Sequence, residues 1–312
     1  MSDIKLFALQ SDAVIELPGS AAPLERDLQE KIEAHMLAFL GVHFLASEYS
    51  TGKTHKGRID SLGLDENGCP VIIEYKRNKN ENVINQGLFY LDWLLDHQAE
   101  FKWLVMEKLG KDNAENIEWS GTRLICIASD FNRFDEHAVQ QINRNIELMR
   151  YRYFGNELLL LELVNAHSAN QVIASTTPAA VTTTEPSTKH RGPDKGQAER
   201  LADAPDSLIK LYEEICQFAE QLGDEVQRKE VKLYTAFKRI KNFASVLVVH
   251  GNSDPRLVIY LKLPGEQADE YPNARNVTNI GHWATGDFEL VVREPAELEL
   301  AKELIARSYE RS

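Results

Sequence analysis

Gly57-Arg58-Ile59-Asp60, the run Pro70-Val71-Ile72-Ile73-Glu74-Tyr75-Lys76, and the pair Gln86 and Tyr90 follow one another closely in the chain. Side chains alternate across a strand, so Glu74 and Lys76 share one face and Tyr75 points to the other. Between the segments bearing Asp60 and Glu74 stands Asp65-Glu66-Asn67-Gly68, whose residues accept the positive φ of a tight turn. Two strands joined there bring Asp60 beside Glu74. Converging carboxylates repel each other unless a cation lies between them. A hard divalent ion, Mg2+ or Mn2+, suits an oxygen set of Asp60, Glu74 and the main-chain carbonyl of Tyr75 better than zinc would. Such an ion acidifies bound water and neutralises a phosphoryl group under attack, with Lys76 orienting the water. Gln86 and Tyr90, four apart on a helix expected over 82–97, reach the same groove. Lys53, Lys56 and Arg58 before the carboxylates, and Arg77 and Lys79 after them, offer a local rim for nucleic-acid phosphates.

Outward from this stretch, Leu24, Leu28, Ile32 and Met36 recur every four residues behind Pro23, which predicts a helix over 23–40. Strands are expected at 42–48, 58–64, 70–76 and 122–128, a helix at 137–149, and apolar strand material over 151–164. The order αβββαβ describes an α/β domain over 1–165. From 166 to 206 the composition turns to Ser, Thr, Ala, Pro and Gly, that of a flexible linker. Residues 207–312 read as a second, smaller α+β domain: a helix over 208–219, strands near 231–237, 244–250, 257–263 and 288–293, and a helix over 295–309. Gly281–Gly286 lacks the spacing of a nucleotide loop.

The order G-R-I-D, E-Y-K, Q-x-x-x-Y resembles the PD-(D/E)XK nuclease superfamily, in particular its RecB-like branch and the catalytic domain of archaeal NucS-type endonucleases. The resemblance covers about residues 20–165. It implies a restriction-endonuclease-like mixed sheet flanked by helices, metal-dependent phosphodiester hydrolysis, and Asp60, Glu74 and Lys76 as the matched catalytic positions. Gln86 and Tyr90 match the accessory motif. The resemblance also implies an acidic residue from the first helix, for which Glu25 fits best and Glu30 and Glu33 are rivals. Ile59 replaces the proline of the superfamily name. The N-terminal DNA-binding domain of NucS proteins is not seen, so mismatch specificity is not carried over. Residues 207–310, with Lys241-Asn242-Phe243-Ala244, Leu263-Pro264, Gly281-His282 and Gly286-Asp287, look like an uncharacterised domain that often ends bacterial proteins of this kind.

The chain has 312 residues, a net charge of −13 and 43% hydrophobic residues. An acidic balance disfavours a general polycation role on nucleic acid, which leaves local or metal-assisted contact. No apolar run is long enough for a bilayer span and the first residues lack a signal-peptide layout, so a cytoplasmic protein without membrane association is expected. Cys69, Cys126 and Cys216 stand far apart and suggest reduced, buried thiols. His55, His97 and His282 receive no role, since lone histidines are commonly surface or hydrogen-bonded core residues. The basic stretches 228–232 and 238–241 read as ordinary exposed strand and turn rather than a nucleic-acid surface. Tyr151, Tyr153 and Phe154 read as strand packing. Two functions follow: a nuclease acting on DNA, in a defence or repair setting by analogy of fold, or an inactive nuclease-fold assembly module recruiting a protein partner through 207–312. A homodimer is compatible with either.

Overall fold

The structure, a computed structural model, describes residues 4–11, 13–77, 82–167, 196–249, 254–280, 284 and 286–312. A short hairpin, β1 (Leu6–Gln10) and β2 (Ala13–Leu17), comes first, followed by β3 (Gly19–Ser20). Helices α1 (Glu25–Ala34) and α2 (Met36–Leu40) replace the single helix expected over 23–40, because the backbone leaves helical geometry at His35. Next come β4 (Val42–Ser50), the short α3 (Gly52–His55), β5 (Arg58–Asp65) and β6 (Pro70–Lys76). Three helices, α4 (Val83–Asp96), α5 (Gln98–Leu109) and α6 (Lys111–Glu115), lead to β7 (Arg123–Ala128). Helix α7 (Arg133–Gln140), β8 (Asn145–Phe154) and β9 (Leu158–His167) complete the first unit.

These strands form a mixed sheet in the order β3-β8-β7-β6-β5-β4, with β9 also on β8. β6, β7 and β8 run parallel to their neighbours in that trio, and the other pairs are antiparallel. Leu91, Leu94 and Phe101 of α4 and α5 bury one face against Leu62, Ile72 and Leu124. Leu28, Ile32 and Met36 of α1 and α2 cover the other face against Val71, Ile73 and Ile125. The turn that sets the β5–β6 register is held by Asp65, whose Oδ1 accepts from the Asn67 and Cys69 amides at 2.8 and 2.9 Å. Gly68 there has φ +73°, a conformation glycine adopts without a Cβ clash.

The helix expected over 137–149 is corrected. Asn132 caps α7 through a capping box, starting it at Arg133, and residues from Asn145 onward are strand. Ile146, Glu147, Leu148 and Met149 are all buried, and a central parallel strand covered on both faces loses the alternation that identifies strands. Helices α5 and α6 and the N-terminal hairpin were not anticipated.

The second unit holds α8 (Gln197–Ala202), α9 (Asp206–Glu220), β10 (Gln227–Glu230), β11 (Thr235–Lys238), β12 (Asn242–Val249), β13 (Arg256–Leu261), β14 (Ala274–Asn276), β15 (Phe288–Val292) and α10 (Leu298–Glu310). Its antiparallel sheet runs β10-β11-β12-β13-β15-β14. Leu211, Ile215, Leu304 and Ile305 of α9 and α10 pack on one face against Val246, Ile259 and Leu290. The single strand expected near 231–237 is a hairpin, with the Val231 amide donating to the Tyr234 carbonyl across the turn. Linker composition misleads at its C-terminal end: the Gln197 side chain donates to the Val246 carbonyl at 3.1 Å and ties α8 to the second sheet. Residues 168–195 of the expected linker lie outside the described residues.

The two units touch through buried charge, not only through a connecting segment. Arg123 Nη1 lies 2.5 Å from Asp65 Oδ2, Arg123 Nε lies 3.5 Å from Glu147, and Lys238 of the second unit bonds Glu147. All four side chains are at most 4% exposed. Around them, Lys229 donates to the Gly121 carbonyl, Asn242 and Tyr234 bond Asn67, and Lys262 pairs with Glu66. The basic residues Lys229, Lys238 and Lys241, read in sequence as exposed, therefore hold the units together. The contact lies at the end of the sheet where β5 finishes and β6, β7 and β8 begin. Asp60 and Glu74 occupy the opposite end.

Candidate functional site

The antiparallel ladder between β5 and β6 runs from Leu64/Pro70 to Ser61/Ile73 and stops. One step further the strands are joined by their acidic residues. The Asp60 amide donates to Glu74 Oε1 at 3.2 Å, and the Tyr75 amide donates to Asp60 Oδ2 at 3.0 Å. Alternation and turn register thus bring both carboxylates to one point, as expected. Lys76, two residues beyond Glu74, extends its ammonium to within 3.0 Å of Glu25 Oε1. The second oxygen of Glu25 accepts from the Arg77 amide at 3.0 Å.

Helix α1 holds both splayed strands. Glu25 grips the end of β6, and Gln29, one turn later on the same face, donates from Nε2 to the Asp60 carbonyl at 2.8 Å. The same amide group reaches Glu33 at 3.0 Å and Ser47 at 3.3 Å, and Ser61 Oγ donates to Glu33 at 2.6 Å. Of the three glutamates weighed in sequence, Glu25 meets Lys76, Glu33 braces β5 from beneath, and Glu30 pairs with exposed Arg26. The Tyr75 side chain is fully buried on the far face, its hydroxyl 3.2 Å from Ser61 Oγ. Gln29 and Ser61 were missed. The hydrogen-bonding partners of a buried glutamine carry no signal in a single sequence.

Gln86 and Tyr90 face the start of β5. Gln86 Nε2 lies 3.5 Å from the Tyr90 hydroxyl, which accepts from the Arg58 amide at 3.2 Å. Gly57 makes that approach feasible, since a Cβ there would stand 2.4 Å from a Tyr90 ring carbon. Lys53, Lys56 and Arg77 are exposed, and Arg58, 66% exposed, pairs with Glu48 at 3.2 Å. Lys79 lies outside the described residues, as does His282. Beside this rim the His55 ring sits 5.1 Å from that of Phe89, and His97 stacks on Trp93 at 4.6 Å.

Electrostatically the pair is under tension. Burial raises the Asp60 carboxyl to about 6, against the Tyr75 amide and Lys76, which lower it. Burial first, and then the charge of Asp60, raise Glu74 to about 9. Lys76 is pushed the other way: burial disfavours its ammonium, but Glu25, Asp60 and Glu74 outweigh burial and raise its pKa. It remains a cation at neutral pH and so a stabiliser of negative charge rather than a base. Glu74 Oε2 is buried without any hydrogen-bond partner. A buried carboxylate oxygen left unbonded is costly, and a hard cation is the partner its chemistry fits. Among the described residues no group of three or more His, Cys, Asp and Glu side chains is arranged for a metal. The available donors are therefore two carboxylates with main-chain and water oxygens.

Residues 198–312 match a family described as a domain of unknown function (DUF5655). Two solved structures show similarity: a repair endonuclease from Pyrococcus abyssi (19% identity, 44% of this chain, 50% of that chain, TM-score 0.28) and an EndoMS–dsDNA2 complex (20% identity, 46% and 49%, TM-score 0.25). The match spans about half of each of those chains. Among the described residues, no helix is long and apolar enough to cross a membrane. An uncharacterized protein of Haemophilus influenzae is 31% identical over 309 residues, covering 98% of this chain and 99% of that protein. The likeness runs through both units, and the chain belongs to the same two-unit protein family as that Haemophilus influenzae protein.

Proposed function

We propose that the first unit is a metal-dependent nuclease of the PD-(D/E)XK type that hydrolyses phosphodiester bonds of DNA. The observation that carries this reading is the meeting of Asp60 and Glu74 at the open end of the β5–β6 ladder, with one Glu74 oxygen unbonded and the Lys76 ammonium alongside. Asp60, Glu74 and the Tyr75 carbonyl would hold Mg2+ or Mn2+. When bound, the ion would lower the pKa of water and offset charge on the phosphate.

The remaining steps belong to side chains of this chain. Lys76 stays protonated and stabilises negative charge growing on the phosphoryl oxygens. Glu25 fixes the direction of the Lys76 stem, and Gln29 fixes Asp60 through its carbonyl. Gln86 and Tyr90 brace the first residues of β5. Lys53, Lys56, Arg58 and Arg77 would position phosphates of the substrate.

Plasmid, linear duplex and single-stranded DNA incubated with Mg2+ or Mn2+ test the reading. Wild type cuts at least one of them, and Lys76→Ala loses about 100-fold or more in rate. Equal traces of cutting by wild type and variant would sink it. Absence of cutting together with metal-independent capture of a protein partner by the full chain would favour the assembly-module reading instead.

A further inference from the structure

The N-terminal hairpin departs from the way proteins ordinarily treat strand edges. Among the described residues β1 pairs with β2 alone, and a two-stranded ribbon by itself is marginal in water. Phe7, Leu9, Val14 and Ile15 are 46, 80, 66 and 46% exposed. Cross-strand register puts Leu9 opposite Val14 and Ala8 opposite Ile15, so apolar side chains stand out on both faces. β1 itself, Leu6-Phe7-Ala8-Leu9-Gln10, has no charge, proline, glycine or bulge, none of the usual devices that prevent edge pairing.

We propose that β1 pairs with β1 of a second copy of this chain, antiparallel about a twofold axis at Ala8, to make a four-stranded sheet. Hydrogen-bond parity and side-chain identity support this occupant and register. The hairpin closes with Gln10 opposite Ala13, a two-residue loop that makes this a hydrogen-bonded pair, as Ala8/Ile15 and Leu6/Leu17 then also are. Phe7 and Leu9 consequently turn their N–H and C=O groups outward. Centring the twofold on Ala8 places Phe7 of one copy against Leu9 of the other, twice, which pairs outward groups with outward groups. All five residues of β1 overlap in that register, and the exposed Phe7 and Leu9 side chains meet as apolar cross-strand pairs. Such self-complementarity is what a twofold interface requires. Strand pairing alone buries less than the ~1,000 Å² of a stable assembly, so the dimer is reversible and concentration-dependent. This inference is independent of the nuclease reading.

Sedimentation velocity of the full chain over a concentration series, with oxidative cross-linking of Ala8→Cys, provides the test. Across the twofold the two residue-8 Cα atoms stand ~4.5 Å apart as a non-hydrogen-bonded pair, within disulfide reach. Cys69, Cys126 and Cys216 are buried, so wild type gives no background. The expected results are a monomer–dimer equilibrium, a covalent dimer from Ala8→Cys but not from Lys5→Cys, and association weakened about tenfold or more by Leu9→Lys. Circular dichroism of each variant verifies folding. A chain that stays monomeric throughout overturns the proposal, and so does a dimer that ignores Leu9→Lys and leaves Ala8→Cys uncross-linked.

Discussion

Glu74 is fully buried, its carboxyl is raised to about 9 by burial and by Asp60, and one of its oxygens is unbonded. A buried carboxyl with an unpartnered oxygen costs stability. The sign follows from linkage. The folded-state pKa lies above the ordinary 4.5, so this contribution to stability is intact below ~4.5 and is lost as pH rises toward about 9. Glu74→Gln, which keeps the shape and removes the need to take up a proton on folding, should therefore raise stability in EDTA at pH 8 by about 1–3 kcal/mol. The gain should shrink toward pH 5, as read by urea midpoints at both values. An unchanged midpoint at pH 8 would mean that the carboxyl is better solvated than its burial indicates.

Positioning belongs to the scale of elements. Helix α1 contacts the ends of both β5 and β6 through Glu25 and Gln29, and α4 contacts the start of β5 through Tyr90. The α4 contact depends on the missing side chain at Gly57. Gly57→Ala drives a Cβ to 2.4 Å from the Tyr90 ring, and overpacking of this kind costs about 1–3 kcal/mol. Thermal unfolding should show that loss, and Tyr90→Leu in the same chain should restore part of it, since the two residues couple through one contact. For Gln29→Leu, the Asp60 carbonyl and Glu33 lose a donor together, and a loss of about 1–3 kcal/mol is expected. If the proposed hydrolysis is correct, the rate should fall more than substrate binding does, because Gln29 reaches the carboxylate only through the main chain.

At the scale of the whole molecule, the buried cluster of Asp65, Arg123, Glu147 and Lys238 decides how the units are held. Burial, the largest single influence, opposes charge on Asp65 and Glu147, but Arg123, Lys229 and Lys238 together outweigh it, and both carboxyls end below their ordinary values. Their contribution is present above about pH 4 to 4.5 and is lost as pH falls through the depressed folded values. Lys238 is lowered to about 8, by burial and then by Arg123, against Glu147. Lys238→Met removes one partner and leaves Glu147 with less compensation, which costs about 3–5 kcal/mol. Hydrogen exchange should then rise at the starts of β6, β7 and β8 and in β11. Lys238→Met combined with Glu147→Leu should recover much of the loss, and failure to recover would mean that the cluster contributes through packing rather than charge. The same contact removes the second unit from the carboxylate end of the sheet, so a role there would have to be exerted at a distance from Asp60 and Glu74.

Several features were legible before any coordinates. Strand β6 occupies the residues expected, Pro70 to Lys76, and the acidic turn and the meeting of Asp60 with Glu74 follow from alternation and turn chemistry. These properties are local: a period of two, a turn of four residues, a spacing of four on a helix. Other features needed tertiary structure. Strand β8 looked helical because burial on both faces erased its alternation. Gln29 became a support for Asp60 only through a hydrogen bond across thirty-one positions. Lys229, Lys238 and Lys241 looked like solvated charge and proved to be interface. Periodicity records which way a side chain points but not what stands opposite it. Residues far apart in the chain acquire their partners only when the two sheets pack.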